Sequence, residues 1–447
     1  MIQFFLKTGL VAALFASTAA TMADDLERRA QWQARFGGQE GAGMALQEVT
    51  EGSPLATAGL VAGDTILAVD GQPATRGTTW NDITDALVAD RPYKLLVRRG
   101  TDLNTVSVNF PPVLLEEHAG VETVYGSITS DYGIRQRTIV TRPETITADA
   151  PGPAIFMLQG LSCSSIEATP GRRSNYIRIL TDLVEQSGMV VMRVEKPGMG
   201  DSEGNCSQTD FITELNGYET ALKKLKSLPY VDPSRILVYG NSMGSALAPY
   251  FANKYGLNAV ISDGTYYRTW FEHMLEIERR IKQMQGMEES KINDLINRAY
   301  IPLYYGMLIE EKTYADVIRE KPLLADHNYH DDAHMYGRPT AFYHQMQDFD
   351  VAGNWQKLRA PVRIRWGTND WIMSEYDNDI IMEVLRKASH TNAQLYKFPG
   401  MDHWATIHES PENSFNGKPG VWEDRISGQL IDWVKELNNQ TNTPPGD

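Results

Sequence analysis

The chain has 447 residues, 42% of them hydrophobic, which is enough for more than one buried core. Its formal net charge is −15 at pH 7, and no basic stripe offsets it. Such a surface repels nucleic acid and anionic lipid headgroups, which excludes both as partners.

Lys7 precedes an apolar stretch, Gly9 to Ala20, that is too short to span a bilayer, and Thr21-Met22-Ala23 then offers small residues where a signal peptidase inspects them. Residues 1–23 therefore read as a signal peptide cleaved near Ala23. No later stretch is long and apolar enough to form a transmembrane segment. The expectation is a secreted protein, periplasmic in a Gram-negative source. In an oxidising compartment the two cysteines, Cys163 and Cys206, are expected to form a disulfide. Closing that loop is worth about 4 kcal/mol on a chain-entropy model.

Residues 38–112 form a compact, strand-rich segment that ends at Pro111-Pro112. Met44 to Val49 reads as a strand, Trp80 to Ala89 as a helix, and Tyr93 to Arg98 and Thr105 to Phe110 as further strands. Between them run Gly52-Ser53-Pro54-Leu55-Ala56, Ala58-Gly59-Leu60 and Gly63-Asp64-Thr65-Ile66-Leu67-Ala68-Val69-Asp70-Gly71. This pattern resembles a bacterial PDZ domain. The resemblance implies a groove between the strand at 44–49 and the helix at 80–89, where an extended peptide adds as a strand. Its C-terminal carboxylate would sit at Gly41-Ala42-Gly43-Met44, so Gly43, Met44, Ala45 and Leu46 are the candidate peptide contacts. The alternative is a domain that packs on its neighbour without binding free termini.

From about residue 121 to 437 strands alternate with helices, which implies an α/β fold with a mostly parallel sheet and crossover helices. Strands are expected at 126–129, 136–140, 154–158, 190–194, 236–239, 259–262, 362–366 and 394–398. Helices are expected at 177–186, 211–228, 376–388 and 425–437. Residues 266–352 carry helical spacing without a strand signal and read as a helical cap inserted between two sheet strands. The polar tail 438–447 reads as disordered.

The strand Arg235 to Tyr239 leads into Gly240-Asn241-Ser242-Met243-Gly244, and a helical stretch follows. A G-x-S-x-G on such a turn presents a serine hydroxyl above the sheet. A serine nucleophile needs a base and an acid that orients the base. Asp370 lies just past the strand at 362–366, and His403 just past the strand at 394–398. Further along the same pattern stand Gln159-Gly160-Leu161-Ser162 and Lys196-Pro197-Gly198-Met199-Gly200-Asp201-Ser202-Glu203-Gly204. Together these motifs resemble the α/β-hydrolases of the serine-aminopeptidase and esterase type over residues 121–437. The resemblance implies that Ser242 attacks, His403 moves its proton and Asp370 fixes the imidazole. It implies also that the backbone amides of Leu161 and Met243 form the oxyanion hole. Many relatives carry His-Gly where this chain has Gln159-Gly160. In that fold the strands preceding Cys163 and Cys206 are neighbours, so their bridge would pin the oxyanion loop.

Asp377 and Asp379 compete with Asp370 but fall within the following helix, and Asp402 reads as an exposed loop acid. His390 and His408 compete with His403. Tyr266, Trp270 and Trp371 are candidates for lining an acyl pocket, with core packing as the alternative. Arg338 either meets a substrate carboxylate or forms an ion pair within the cap. His327, His330 and His334 with Asp326, Asp331 and Asp332 lack a stringent ligand motif and read as a polar loop rather than a metal site. No cofactor is implied. The leading expectation is a serine hydrolase acting on a small acyl substrate, a carboxylic ester, through an acyl-enzyme. The alternatives are an exported serine peptidase whose PDZ domain delivers peptides, and a non-catalytic PDZ scaffold.

Overall fold

The computed structural model describes residues 26–37, 43–75 and 78–440. The expected signal peptide, Gly41-Ala42 of the expected carboxylate loop and residues 441–447 lie outside them. Eight strands form the larger sheet, in the order Ala393–Phe398, Val362–Gly367, Ala259–Asp263, Val231–Asn241, Gly152–Leu158, Val190–Val194, Arg135–Pro143, Val121–Thr129. The first six run parallel, and the last two are antiparallel additions at one edge. The central strands are apolar without alternation because both faces are covered. In Gly152–Leu158, side chains Ala154, Phe156 and Leu158 enter one core, and Ile155 and Met157 enter the other. Successive side chains of a strand point to opposite faces, so one strand feeds both. Helix Asn175–Gln186 and helix Arg425–Gln440 close the second core. The last helix continues through Asn438, where the sequence reading placed the start of a disordered tail.

The cap lies between the strands Ala259–Asp263 and Val362–Gly367 and is built mainly of helices, including Trp270–Met284, Tyr314–Glu320 and Thr340–Gln347. Thr269 and Glu272 form a capping box at the start of Trp270–Met284, satisfying amides that the first turn leaves without partners. A strand pair interrupts the cap, contrary to the sequence reading: His334–Met335 pairs with Arg338–Pro339. Two-residue strands are too short to leave a periodic signal.

A second sheet holds Ala34–Phe36, Met44–Val49, Thr65–Val69, Pro92–Arg99 and Asp102–Asn109, with Gln72–Pro73 paired to Thr65–Val69. The strand Ala34–Phe36 precedes the expected start of this unit at 38. It pairs antiparallel with Met44–Val49, which pairs on its other side with Thr65–Val69. Met44–Val49 thus has a partner on each side, Ala34–Phe36 along Leu46–Val49 and Thr65–Val69 at Met44 and Ala45. Of the expected peptide contacts Gly43, Met44, Ala45 and Leu46, the last two are corrected: Phe36 already faces Leu46, and Gly37 donates to the Ala45 carbonyl, so the chain's own backbone stands there. Trp32 and Phe36 pack on Trp80 of helix Thr78–Ala86, with ring centroids 5.5 and 4.8 Å away.

The chain before this sheet bridges the two units. Arg28 pairs with Asp201 at 2.8 Å and with Glu167 at 2.5 Å, and the Arg29 amide donates to Asp201 at 2.9 Å. The Arg29 guanidinium reaches the carbonyls of Gly200 and Ser202.

Candidate active site

Ser242 sits between the strand Val231–Asn241 and the helix Met243–Tyr255 with φ 54° and ψ −124°, a conformation that costs energy for any side-chain-bearing residue. The neighbouring glycines make the turn possible. A Cβ on Gly240 would stand 2.2 Å from the Gly244 carbonyl oxygen, and one on Gly244 would stand 2.3 Å from the Leu158 oxygen. The backbone is also tied down, since the Ser242 amide donates to the Asp263 carbonyl at 2.9 Å.

His403 Nε2 stands 3.0 Å from Ser242 Oγ, and His403 Nδ1 stands 2.8 Å from Asp370 Oδ2. An ionised carboxylate only accepts, so Nδ1 carries the ring proton and Nε2 is left to accept from the serine hydroxyl. Asp370 is held in turn: its Oδ1 accepts from the amides of Ile372 and Met373 at 2.9 and 2.8 Å. Burial disfavours charge on His403, but Asp370, with Asp263 and Asp402 farther off, more than offsets that and raises its pKa above the ordinary value. The arrangement can pass a proton from Oγ to Nε2 and stabilise the resulting imidazolium.

The competing residues are engaged elsewhere. Asp377 is buried and accepts from Arg268 Nε at 2.6 Å, not solvated as its place in the helix suggested. Asp379 pairs with Lys397, His390 lies 2.9 Å from the Ala360 carbonyl, and His408 pairs with Asp402. Asp402 is also a correction. It is 3% exposed and accepts from the amides of Trp404 and Thr406 and from Ser414, which shapes the loop that carries His403.

Of the expected pocket residues, Tyr266 and Trp270 are buried in the larger core, stacked about His273, and do not line an open face. Arg338 is fully buried, paired with Glu214 and held 4.2 Å over the Phe342 ring, so it is closed to a substrate carboxylate. Trp371 is half-buried beside Asp370 and packs on Trp404, at 5.6 Å, and on Phe415. Two neighbours of the site escaped the sequence reading. Trp404, half-exposed, follows His403 directly, and its place in the chain was signal enough. Arg280 reaches from the cap to the carbonyls of Trp371 and Ile372, a contact across ninety residues that no local pattern announces.

On the other side of Ser242 lies Gly160, where a Cβ would stand 3.1 Å from the serine Cβ. The Leu161 amide next to it donates to no acceptor among the described residues. Met243 opens its helix, so its amide is a first-turn donor without an intrahelical acceptor. Cys163 and Cys206 are joined by a disulfide. A cavity of about 210 Å³ lies beyond this loop, walled by Ser162, Cys163, Asn205, Tyr336 and, from the N-terminal unit, Asp82 and Asp85. Among the described residues no group of three or more His, Cys, Asp or Glu side chains is placed to hold a metal ion.

Residues 171–410, more than half of the chain, match the family described as serine aminopeptidase, S33, and residues 47–99 match the PDZ domain. A curated relative, Esterase EstD of Thermotoga maritima, is 22% identical over 286 residues, which is 64% of this chain. The match spans 62% of that relative's length. Among solved structures, an esterase of Pyrococcus furiosus is 14% identical with a TM-score of 0.44, covering 73% of this chain and 96% of its own. Est1E from Butyrivibrio proteoclasticus, solved with ferulic acid bound, is 15% identical with a TM-score of 0.45, covering 70% of this chain and 98% of its own.

Proposed function

This chain belongs to the serine aminopeptidase S33 family, and from that premise we propose that it is an exported serine hydrolase that cleaves a carboxylic ester through an acyl-enzyme. The observation that carries the reading is the continuous relay from Ser242 Oγ to His403 Nε2 and from His403 Nδ1 to Asp370. In the first half-reaction Ser242 Oγ bonds to the substrate carbonyl carbon while its proton passes to His403. The oxyanion that develops is met by the amides of Leu161 and Met243, dipoles already in place before the reaction begins. His403 then gives its proton to the departing alkoxide, and water enters by the reverse path to release the acid. The match to a curated esterase supports an ester substrate. The disulfide supports export.

A peptidase reading has support in the family's own description and in the PDZ match. In that reading peptide addition would use the outer strand Ala34–Phe36, since Met44–Val49 is paired on both sides. Incubation with p-nitrophenyl esters of graded chain length beside aminoacyl-anilides separates the two. Ester turnover lost in Ser242→Ala supports the esterase; anilide turnover alone replaces it with the peptidase. A fluorophosphonate that leaves wild type unlabelled rejects both and favours a scaffold.

A further inference from the structure

The loop that would supply the oxyanion donor is tied at its two ends, by the Gln159 side chain to the Val194 carbonyl and by the Cys163–Cys206 disulfide, with little to rest on between them. Residues 159–163 belong to no helix or strand, Gly160 has no side chain, and the cavity beyond Ser162 and Cys163 removes packing from that side. A donor misplaced by about 1 Å loses most of its effect on a developing charge, costing about 100-fold in rate. Something must therefore fix the orientation of the peptide unit that carries the Leu161 amide.

We propose that Lys196 is the positioning residue for this loop: its ammonium gathers the carbonyls of Gly160, Leu161 and Ser162 and so aims the Leu161 amide at the oxyanion position. The inference rests on the acyl-transfer reading above. Lys196 Nζ donates to the carbonyls of Leu161 and Ser162 at 3.0 Å each and to that of Gly160 as well. An ammonium has three donors, and here three consecutive carbonyls use all of them. Consecutive carbonyls of extended chain point to alternate sides, so the backbone must curl around the nitrogen to bring three together. The Gly160 carbonyl and the Leu161 amide belong to one trans peptide unit, in which C=O and N–H point in opposite directions. Drawing the oxygen toward Lys196 turns the N–H away from it, and Ser242 lies against Gly160.

The charge is provided for within the same cluster. Lys196 is buried, with Glu214 Oε1 at 3.4 Å, and the other oxygen of Glu214 takes Arg338. The Arg338 guanidinium in turn lies against the disulfide, 3.4 Å from Cys163 Sγ, so clamp and covalent tie form one assembly. Burial lowers the Lys196 pKa to about 8, with Glu214 raising and Arg338 lowering it, which leaves the side chain mostly cationic at neutral pH. A lysine suits the place because its compact ammonium can serve three oxygens, whereas a planar guanidinium would spread its donors too widely.

The test uses the full chain with Lys196→Met and, separately, with Lys196→Leu; in both, Glu214 keeps Arg338 as its cation, so no buried carboxylate is stranded. With p-nitrophenyl butyrate, kcat should fall about 100-fold while KM stays within about threefold, because the donor acts on the transition state. An alkyl boronic acid, which becomes a tetrahedral anion on Ser242, should lose affinity by a comparable factor, and a neutral alcohol product should not. Either folded variant with kcat within about threefold of wild type overturns the inference, as does equal loss of affinity for boronate and neutral alcohol. A fluorophosphonate assay runs beside these measurements. Wild type labelled at Ser242 with an unimpaired variant rejects the role of Lys196 alone; wild type that forms no adduct rejects the acyl-transfer reading itself.

Discussion

Arg365 and Asp263 form a bidentate ion pair between the strand beside the one that leads into Ser242 and that strand's outer neighbour, with Nε to Oδ1 at 2.8 Å and Nη2 to Oδ2 at 2.6 Å. Both side chains are buried, and the main-chain oxygen of Asp263 holds the Ser242 amide. The pair thus couples the stability of the sheet to the geometry of the turn. Removing one member of a buried pair strands the other charge, so Arg365→Met should lower the unfolding free energy by about 3–5 kcal/mol. Adding Asp263→Asn to that variant should restore part of the loss. Urea unfolding measures both, and a single variant within about 1 kcal/mol of wild type would reject the coupling.

Proton transfer ties activity to pH through His403. The imidazole must be neutral to accept the serine proton, and the deprotonated fraction grows as pH rises. Asp370 holds the His403 pKa above 6.5, so the acid limb of kcat/KM should be centred above that value. Asp370→Asn should move the limb downward and reduce kcat about 10⁴-fold, since the imidazole also loses its preferred tautomer. A profile from about pH 5 to about pH 9 checks both, and a limb that stays in place in the Asn variant would exclude Asp370 as the partner of His403.

What could be read from the sequence was whatever lies next to a strand end. Ser242 and Asp370 each follow a strand whose last residues are buried, and His403 follows the edge strand Ala393–Phe398, so order and spacing pointed to these three before any coordinates. What could not be read depends on partners far along the chain. Lys196 answers carbonyls thirty-odd residues away, and Arg338 meets Glu214 across more than a hundred. The same applies to strand pairing: Ala34–Phe36 is only three residues long, yet it takes up Leu46–Val49 of the strand along which a peptide was expected. Asp402 looked like a loop acid because its acceptors are filled by backbone amides, and backbone leaves no trace in side-chain pattern.

The disulfide offers a stability test separate from catalysis. It spans a sequence separation of 43 residues, and chain entropy assigns such a closure about 4 kcal/mol. Cys163→Ser/Cys206→Ser should lose about that much in urea unfolding, with the denaturant dependence changed as well because the unfolded chain opens further. Loss below about 1 kcal/mol would mean that native contacts of the loop, Lys196 among them, already hold it without the bond.

Arg28 joins the N-terminal segment to two buried carboxylates of the larger unit, Glu167 and Asp201. Its side chain is 16% exposed, while Glu167 and Asp201 beneath it are 4% and 0% exposed. Arg137 also pairs with Asp201, at 2.9 Å, so Asp201 would keep one cation if Arg28 were lost. The Glu167 carboxylate would keep only the Tyr125 hydroxyl among the described residues, leaving a buried carboxylate with too few partners. Arg28→Ala should therefore cost about 3 kcal/mol, less than the full loss of a pair at a site with no second cation. The effect should be local: the segment before Ala34 would detach, and the linker around Pro111-Pro112 would become open to protease while the larger sheet stays folded. Limited proteolysis followed by mass spectrometry reads this directly. Cleavage near residue 112 in the variant, with Arg137→Ala leaving the linker protected, would identify Arg28 as the fastening point; equal protection in both would place the hold between the two units elsewhere.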